Sequence, residues 1–319
     1  MKGNAIDLLL GVAIGDALGV PYEFLSREEM VARPAKGMVG YGTHHQPAGT
    51  WSDDSSLTFC LAESLHAGYS LNTTAANFIK WRNYAYWTAR NEIFDIGVTT
   101  NRAITRLAKI LNGEDPAELR LLKYEAEEFD NGNGSLMRIL PLLFEVKDKG
   151  LKEQFEIIWE NSALTHRHIR AAMSCMIYLN LAENLLIEQD KNSAYQKTRC
   201  DINQLWEEMN FSDAEKTHFA RIVQNDIREA KKETILSGGY VIESLEASLW
   251  SFLNTESFES AVLTAINFGH DTDTNGAITG GLAGLYYGRK EMPEVWIVSL
   301  ARMENIIELG EKLEKKYRS

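Results

Sequence analysis

The sequence predicts an all-α fold, a single compact multi-helix domain over residues 1–319. Apolar residues recur at helical spacing in stretch after stretch, and long alternating runs of the β type are absent. At 319 residues and 45% hydrophobic content the chain can bury a substantial core, and its six prolines are scattered, so no stretch reads as a Pro-rich linker.

The first element is a helix over 5–18, with Gly11 and Gly15 on one face. Glycine in a helix costs about 1 kcal/mol against alanine, so close packing is the reason to keep two. With Lys2 ahead of it this apolar stretch could pass for a signal peptide, but Asp7 and Asp16 interrupt it and Pro21-Tyr22-Glu23 is a poor cleavage site. No uncharged run approaches the roughly 18 residues that span a bilayer. A soluble, cytoplasmic protein is expected. Segment 37–49 is a Gly-rich polar loop, and its His44-His45 pair reads as loop polarity rather than metal binding.

Ser52-Asp53-Asp54 precedes a helical pattern over 57–65, and 71–90 reads as one aromatic-dense helix carrying Trp81, Tyr84, Tyr86 and Trp87. Residues 94–100 lead into a helix over 101–111. Asn131-Gly132-Asn133-Gly134-Ser135 is a turn feeding a further helix, with glycines that let backbone N–H groups approach an anion. Leu164-Thr165-His166-Arg167-His168 introduces a helix over 169–186. Segment 188–234 alternates in charge sign around Leu205, Trp206, Phe211 and Phe219, as expected of solvated helices with a variable insertion between them rather than a second catalytic domain. The core pattern resumes at 238–253, and 258–268 is helical. Small residues at four-residue spacing over 277–288 then predict a helix packed hard against a neighbour. The tail, 294–317, carries apolar residues from Val295 to Leu309, followed by a Glu/Lys surface.

Two acidic clusters carry the chemistry. Asp271-Thr272-Asp273-Thr274-Asn275 offers carboxylates and hydroxyls at the mouth of an apolar helix, as Ser52, Asp53 and Asp54 do at another. Oxygen donors suit magnesium, manganese or calcium. Helix capping by Asp271, with Asp273 and Thr274 in the first turn, is the competing reading. An EF-hand fails because its twelfth position, a bidentate Glu, falls on Leu282.

A net charge of −12 argues against nucleic acid or an anionic membrane as principal partner. Cys60, Cys175 and Cys200 are odd in number and widely separated, which suits free thiols in a reducing compartment. No Gly-Lys-Ser/Thr ending makes a P-loop of the glycine turn. His166 and His168 lack further ligands at zinc spacing.

Ser52-Asp53-Asp54-Ser55, Gly269-His270-Asp271-Thr272-Asp273-Thr274 and the opening Gly15-Asp16-Ala17-Leu18-Gly19 together resemble the ADP-ribosylglycohydrolase family, in that family's order and from the first helix to about Gly288. The resemblance implies a metal site where helix N-termini converge. It holds two divalent cations, Mg2+ or Mn2+, with Ser52, Asp53, Asp54, Asp271, Asp273 and Thr274 as ligands. Asp53 or Asp54 is a candidate base, Asp271 belongs to the catalytic set, and Glu23 is a mobile acid/base or gate. Gly132, Asn133, Gly134, Ser135 and His166 are implied substrate contacts, and Asp95-Ile96-Gly97 borders the site in arginine-directed members, where a carboxylate can pair with a guanidinium. The implied activity is removal of ADP-ribose from modified protein side chains, foremost by cleaving the N-glycosidic bond of ADP-ribosylarginine. The implied partners are ADP-ribosylated protein and ADP-ribose. Three alternatives stay open: hydrolysis of O-linked ADP-ribose (serine or O-acetyl), an immunity-type protein that binds modified target or transferase without turnover, and a structural descendant of the fold. Ser52 where Thr is frequent, His270 for a frequent Gly, Asn275 for an apolar residue, and Asp130 near the expected phosphates depart from the family pattern.

Overall fold

The computed structural model describes residues 4–113, 115, 117–188 and 190–317. Its longer helices are α1 (Ala5–Gly19), α2 (Asp53–His66), α3 (Leu71–Tyr84), α4 (Val98–Gly113), α5 (Leu151–Ser162), α6 (Ile169–Ile187), α7 (Lys191–Met209), α8 (Val241–Leu253), α9 (Phe258–Ile266), α10 (Thr272–Tyr287) and α11 (Met303–Tyr317). Short helical turns join them. Among the described residues β pairing is confined to an isolated bridge between Gly132 and Tyr240. The all-α expectation holds.

At the centre α1 and α10 run against each other with almost no side chain between them. A Cβ on Gly11 would sit 2.2 Å from the Gly280 carbonyl oxygen, and one on Gly15 would sit 1.9 Å from that of Gly276. Only glycine permits that approach, and it justifies the loss of helix propensity at both positions. The seam continues to the site: a Cβ on Gly19 would meet the Asp273 Cα at 2.4 Å, and Thr272 Oγ1 donates to the Gly19 carbonyl at 2.8 Å. The glycines therefore fix where α10 begins. The window 5–22 is apolar and long enough to cross a bilayer by composition, yet 83% of it is buried inside the fold, which marks α1 as a core helix.

Around this pair lie α2, α6, α8, α9 and α11. Segment 188–234 packs as α7, against α6, with shorter turns after it; Leu205, Trp206 and Phe219 are fully buried while much of the charge faces solvent.

Two expectations need correction. The helix predicted over 71–90 stops at Tyr84, because Ala85 takes a left-handed conformation (φ 52°) and turns the chain, with a second such residue at Trp87. Segment 131–138 does not run straight into a helix: turns occupy 134–138, followed by a 3-10 turn at Leu140–Leu142, whose Pro141 cannot donate to a longer ladder. The tail, for which the sequence set no helix bounds, forms a short helix over Glu294–Ser299 and then α11, with Arg302 left-handed (φ 50°) between them.

Candidate active site

The N-termini of α2, α4 and α10 converge, with the loops 23–24 and 133–137 and His166, on a cleft of about 280 Å³. Six carboxylates line it, from Glu23, Asp53, Asp54, Asp95, Asp271 and Asp273, with Gly97, Asn133, Gly134, His166 and Thr274 also on its wall. No lysine or arginine is among the described lining residues. Helix N-termini carry partial positive charge and favour carboxylates, but three half-charges do not balance six anions.

The strain shows in proton affinity. Burial, then the charges of neighbouring acids, hold Asp53, Asp54 and Asp273 well above the usual carboxylate range. Asp271 is also raised by burial, against hydrogen bonds led by that from Asn133, and Glu23 is raised by burial against its bond from His44.

The geometry separates capping from ligation. Asp271 occupies the N-cap position of α10, yet its side chain does not cap that helix's backbone N–H groups; Oδ2 instead accepts from Asn133 Nδ2 at 2.7 Å. One oxygen each of Glu23, Asp271 and Asp273 lie within 4.8 Å of one another. Asp54 accepts from Ser52 Oγ through Oδ2 at 3.0 Å, while its Oδ1 is buried without a hydrogen-bond partner. Burying an anionic oxygen with nothing to bind is costly. An all-oxygen set with an orphaned carboxylate oxygen and no protein cation fits a hard divalent ion.

Ser52, Gly132 and Ser135 do not line this cleft. Ser52 is the N-cap of α2, its Oγ accepting from Asp54 N at 3.2 Å, and it faces a smaller adjoining cavity with Asp53 and Asp95. Ser135 is turned into the interior, where its hydroxyl accepts from Ser162 Oγ at 2.8 Å. Gly132 lies beneath the His166 ring, and Gly134 has no room for a side chain, since a Cβ there would come within 2.5 Å of His166 Cε1. Arg138 is wholly buried; it donates to Asn161 and to Thr165 Oγ1 at 3.0 Å, and Thr165 Oγ1 in turn meets His166 Nδ1 at 3.0 Å. Burial, with Arg138 behind it, pushes His166 down to about 3, so its imidazole is neutral at physiological pH. Asp130 is not in the cleft wall: it accepts from Glu127 N and lies 3.6 Å from Arg102.

Two residues escaped the sequence argument. Asp16 is fully buried behind α2 and accepts from Ser52 N at 2.9 Å, Ser55 N at 3.0 Å and Ser55 Oγ at 2.5 Å, which pins the start of that helix. Burial raises it to about 6 against those bonds. In the sequence it interrupts an apolar helix and belongs to the Gly15–Gly19 motif of the family resemblance, but neither reading gives it a partner or a role. His44, which reads in the sequence as loop polarity, hydrogen-bonds the Glu23 carboxylate, and no local spacing announces a contact 21 residues away.

The chain is an all-α protein that gathers six carboxylates around one cleft at three helix N-termini, a donor set that could hold a divalent cation. A family model described as ADP-ribosylglycohydrolase matches residues 2–319, and the chain belongs to that family of glycohydrolases. It is 31% identical to ADP-ribosylarginine hydrolase Tri1 of Serratia proteamaculans, over 96% of this chain and 77% of the relative. It is 25% identical to the ADP-ribosyl-[dinitrogen reductase] glycohydrolase of Rhodospirillum rubrum, over 93% and 90%. A solved structure, described as an ADP-ribosylglycohydrolase-related protein complex, superposes with a TM-score of 0.79 at 27% identity, covering 98% of this chain and 97% of that one.

Proposed function

We propose that the protein is a divalent-cation-dependent hydrolase that removes ADP-ribose from arginine side chains of modified proteins, acting in the cytoplasm. The observation that carries the reading is the convergence of six carboxylates without a protein cation, with Asp54 Oδ1 buried and unpartnered. The acceptor choice rests on Asp95 at the cleft wall, where a carboxylate can meet a guanidinium, and on two relatives called ADP-ribosylarginine hydrolase Tri1, from Serratia proteamaculans and Pseudomonas putida. Free Cys60, Cys175 and Cys200 are in keeping with a reducing compartment.

In this reading Asp53, Asp54, Asp271, Asp273 and Thr274 hold two cations, Mg2+ or Mn2+, with Glu23 approaching from its loop and Ser52 fixing Asp54. Bound cations supply the positive charge that orients ribose hydroxyls and acidifies water. The chain's own groups do the rest. The C1″–N bond breaks with its electron pair leaving on the guanidino nitrogen, water forms the new C1″–O bond, and one proton passes from that water to the nitrogen. Asp53 or Asp54 takes the proton of the attacking water, and Glu23 is the second acid or base. The neutral His166 and the backbone around Gly132, Asn133 and Gly134 offer donors to ribose or phosphate oxygens, and Asp95 holds the guanidino group.

The test is incubation with an arginine-ADP-ribosylated protein, with and without EDTA, for wild type and Asp95→Ala. Release of ADP-ribose that EDTA stops is the expected result; release that survives exhaustive chelation would overturn the cation assignment. Asp95→Ala is expected to lose activity on the arginine linkage and to keep it on a serine linkage where wild type acts there. Equal loss on both would remove Asp95 as the acceptor determinant.

A further inference from the structure

We propose that His44 is a positioning residue for Glu23, the ring that, with Thr43, clasps the Glu23 loop and turns its carboxylate into the acidic cleft. This rests on the role of Glu23 in the proposed hydrolysis. Left to electrostatics Glu23 would swing out, since it sits within 4.8 Å of oxygens of Asp271 and Asp273. Instead it is buried, at 6% exposure. Contacts from segment 42–44 account for that. Thr43 N donates to the Pro21 carbonyl at 3.0 Å, and Thr43 Oγ1 to the Glu23 carbonyl at 2.7 Å, so two backbone groups of the Glu23 loop are held. Gly42 lies flat on Pro21, where a Cβ would come within 1.9 Å of its carbonyl oxygen. His44 Nε2 then reaches the Glu23 carboxylate itself.

The ring is set for that task. It packs against Phe24, at 5.9 Å between centroids, and Phe94, at 5.2 Å, which restricts its orientation. Phe24 in turn is held left-handed (φ 67°) by its N–H donating to the His270 carbonyl at 2.7 Å. His270, also left-handed (φ 62°), is thereby tied to the same loop immediately before Asp271. The clasp thus joins the loop of Glu23 to the stretch of backbone that delivers Asp271. An outer residue that orients a ligating or proton-transferring carboxylate in this way is typically worth about 10–100-fold in affinity or activity.

His44→Ala and His44→Gln in the full chain test this, Gln because its amide N–H can restore the donor without the ring. Three quantities are read: kcat and KM on arginine-ADP-ribosylated protein, Mn2+ affinity by calorimetry without substrate, and thermal unfolding. His44→Ala is expected to lower kcat about 10–100-fold and to weaken Mn2+ binding, with KM within about threefold of wild type, and His44→Gln to recover most of both. Wild-type kcat and Mn2+ affinity in His44→Ala would overturn the proposal. So would equal impairment of the two variants, which would mean that the ring fills space rather than donating. A wild-type protein inert on the arginine linkage would overturn the proposed activity alone, and the Mn2+ measurement would still decide the clasp.

Discussion

Asp273→Asn removes one charge from the cleft while keeping the shape of the side chain, including an oxygen that can accept from Thr274 N at 2.9 Å as Oδ1 does now. In the metal-free protein the change relieves repulsion. Two unit charges 4.8 Å apart at an effective dielectric of about 20 repel by about 3.5 kcal/mol, and Asp273 faces both Glu23 and Asp271. Partial protonation already relieves some of this, because burial and those neighbours hold Asp273 far above the ordinary carboxylate range. A net gain of about 1–3 kcal/mol is therefore expected near pH 8, or a few degrees in Tm. Manganese should reverse the order. It binds the folded wild type and raises its Tm by mass action, and the variant, short of a ligand, should respond less and hydrolyse at least about a hundredfold more slowly. Differential scanning fluorimetry of both proteins, with EDTA and with a manganese series, reads all of this except the rate. A metal-free variant less stable than wild type, combined with equal manganese shifts, would refute the account of the cleft as a site of uncompensated negative charge.

The remaining predictions concern pH and packing. Asp53, Asp54, Asp271, Asp273 and Glu23 all have raised folded-state proton affinity. The metal-free fold therefore binds protons that the unfolded chain releases, and this contribution to stability falls as pH rises above the unfolded carboxylate values of about 4. The Tm advantage of metal-free Asp273→Asn over wild type should thus widen between pH 5 and 8, and a gap independent of pH would contradict the assignment. Gly15→Ala must displace backbone, since the new Cβ would lie 1.9 Å from the Gly276 carbonyl oxygen. It should destabilise by about 1–3 kcal/mol or more in urea denaturation, and full retention of stability would mean that α1 and α10 are farther apart than that distance requires.

Much of this architecture was legible one residue at a time. The helix over 5–18, the small-residue helix beyond Asp273 and the close packing of each against some neighbour could be read from glycine spacing, because a repeated loss of helix propensity needs a compensating close contact; that the two pack on each other could not. The acidic motifs at 52–54 and 271–274 were legible as clusters, since carboxylates at the head of an apolar helix demand a partner. Segment 71–90 misled because its aromatic periodicity runs past Tyr84, and the left-handed turn at Ala85 leaves no glycine to mark it. Segment 131–138 misled because Asn-Gly repetition signals a turn but carries no information about the conformation of the residues beyond it.

The sequence by itself determined the helical class, the family motifs and the kinds of donor available, since these depend on local spacing and side-chain chemistry. Only the tertiary structure decided which donors meet: that Asp271 turns to Asn133 instead of capping its helix, that Ser52 binds Asp54 without lining the cleft and Ser135 is turned into the interior, and that His44 grips Glu23. The reason is that ligation and orientation depend on distances between segments far apart in the chain, and those distances are set by the glycine seam of α1 and α10 and by loop backbones whose bonds leave no periodic trace in the sequence.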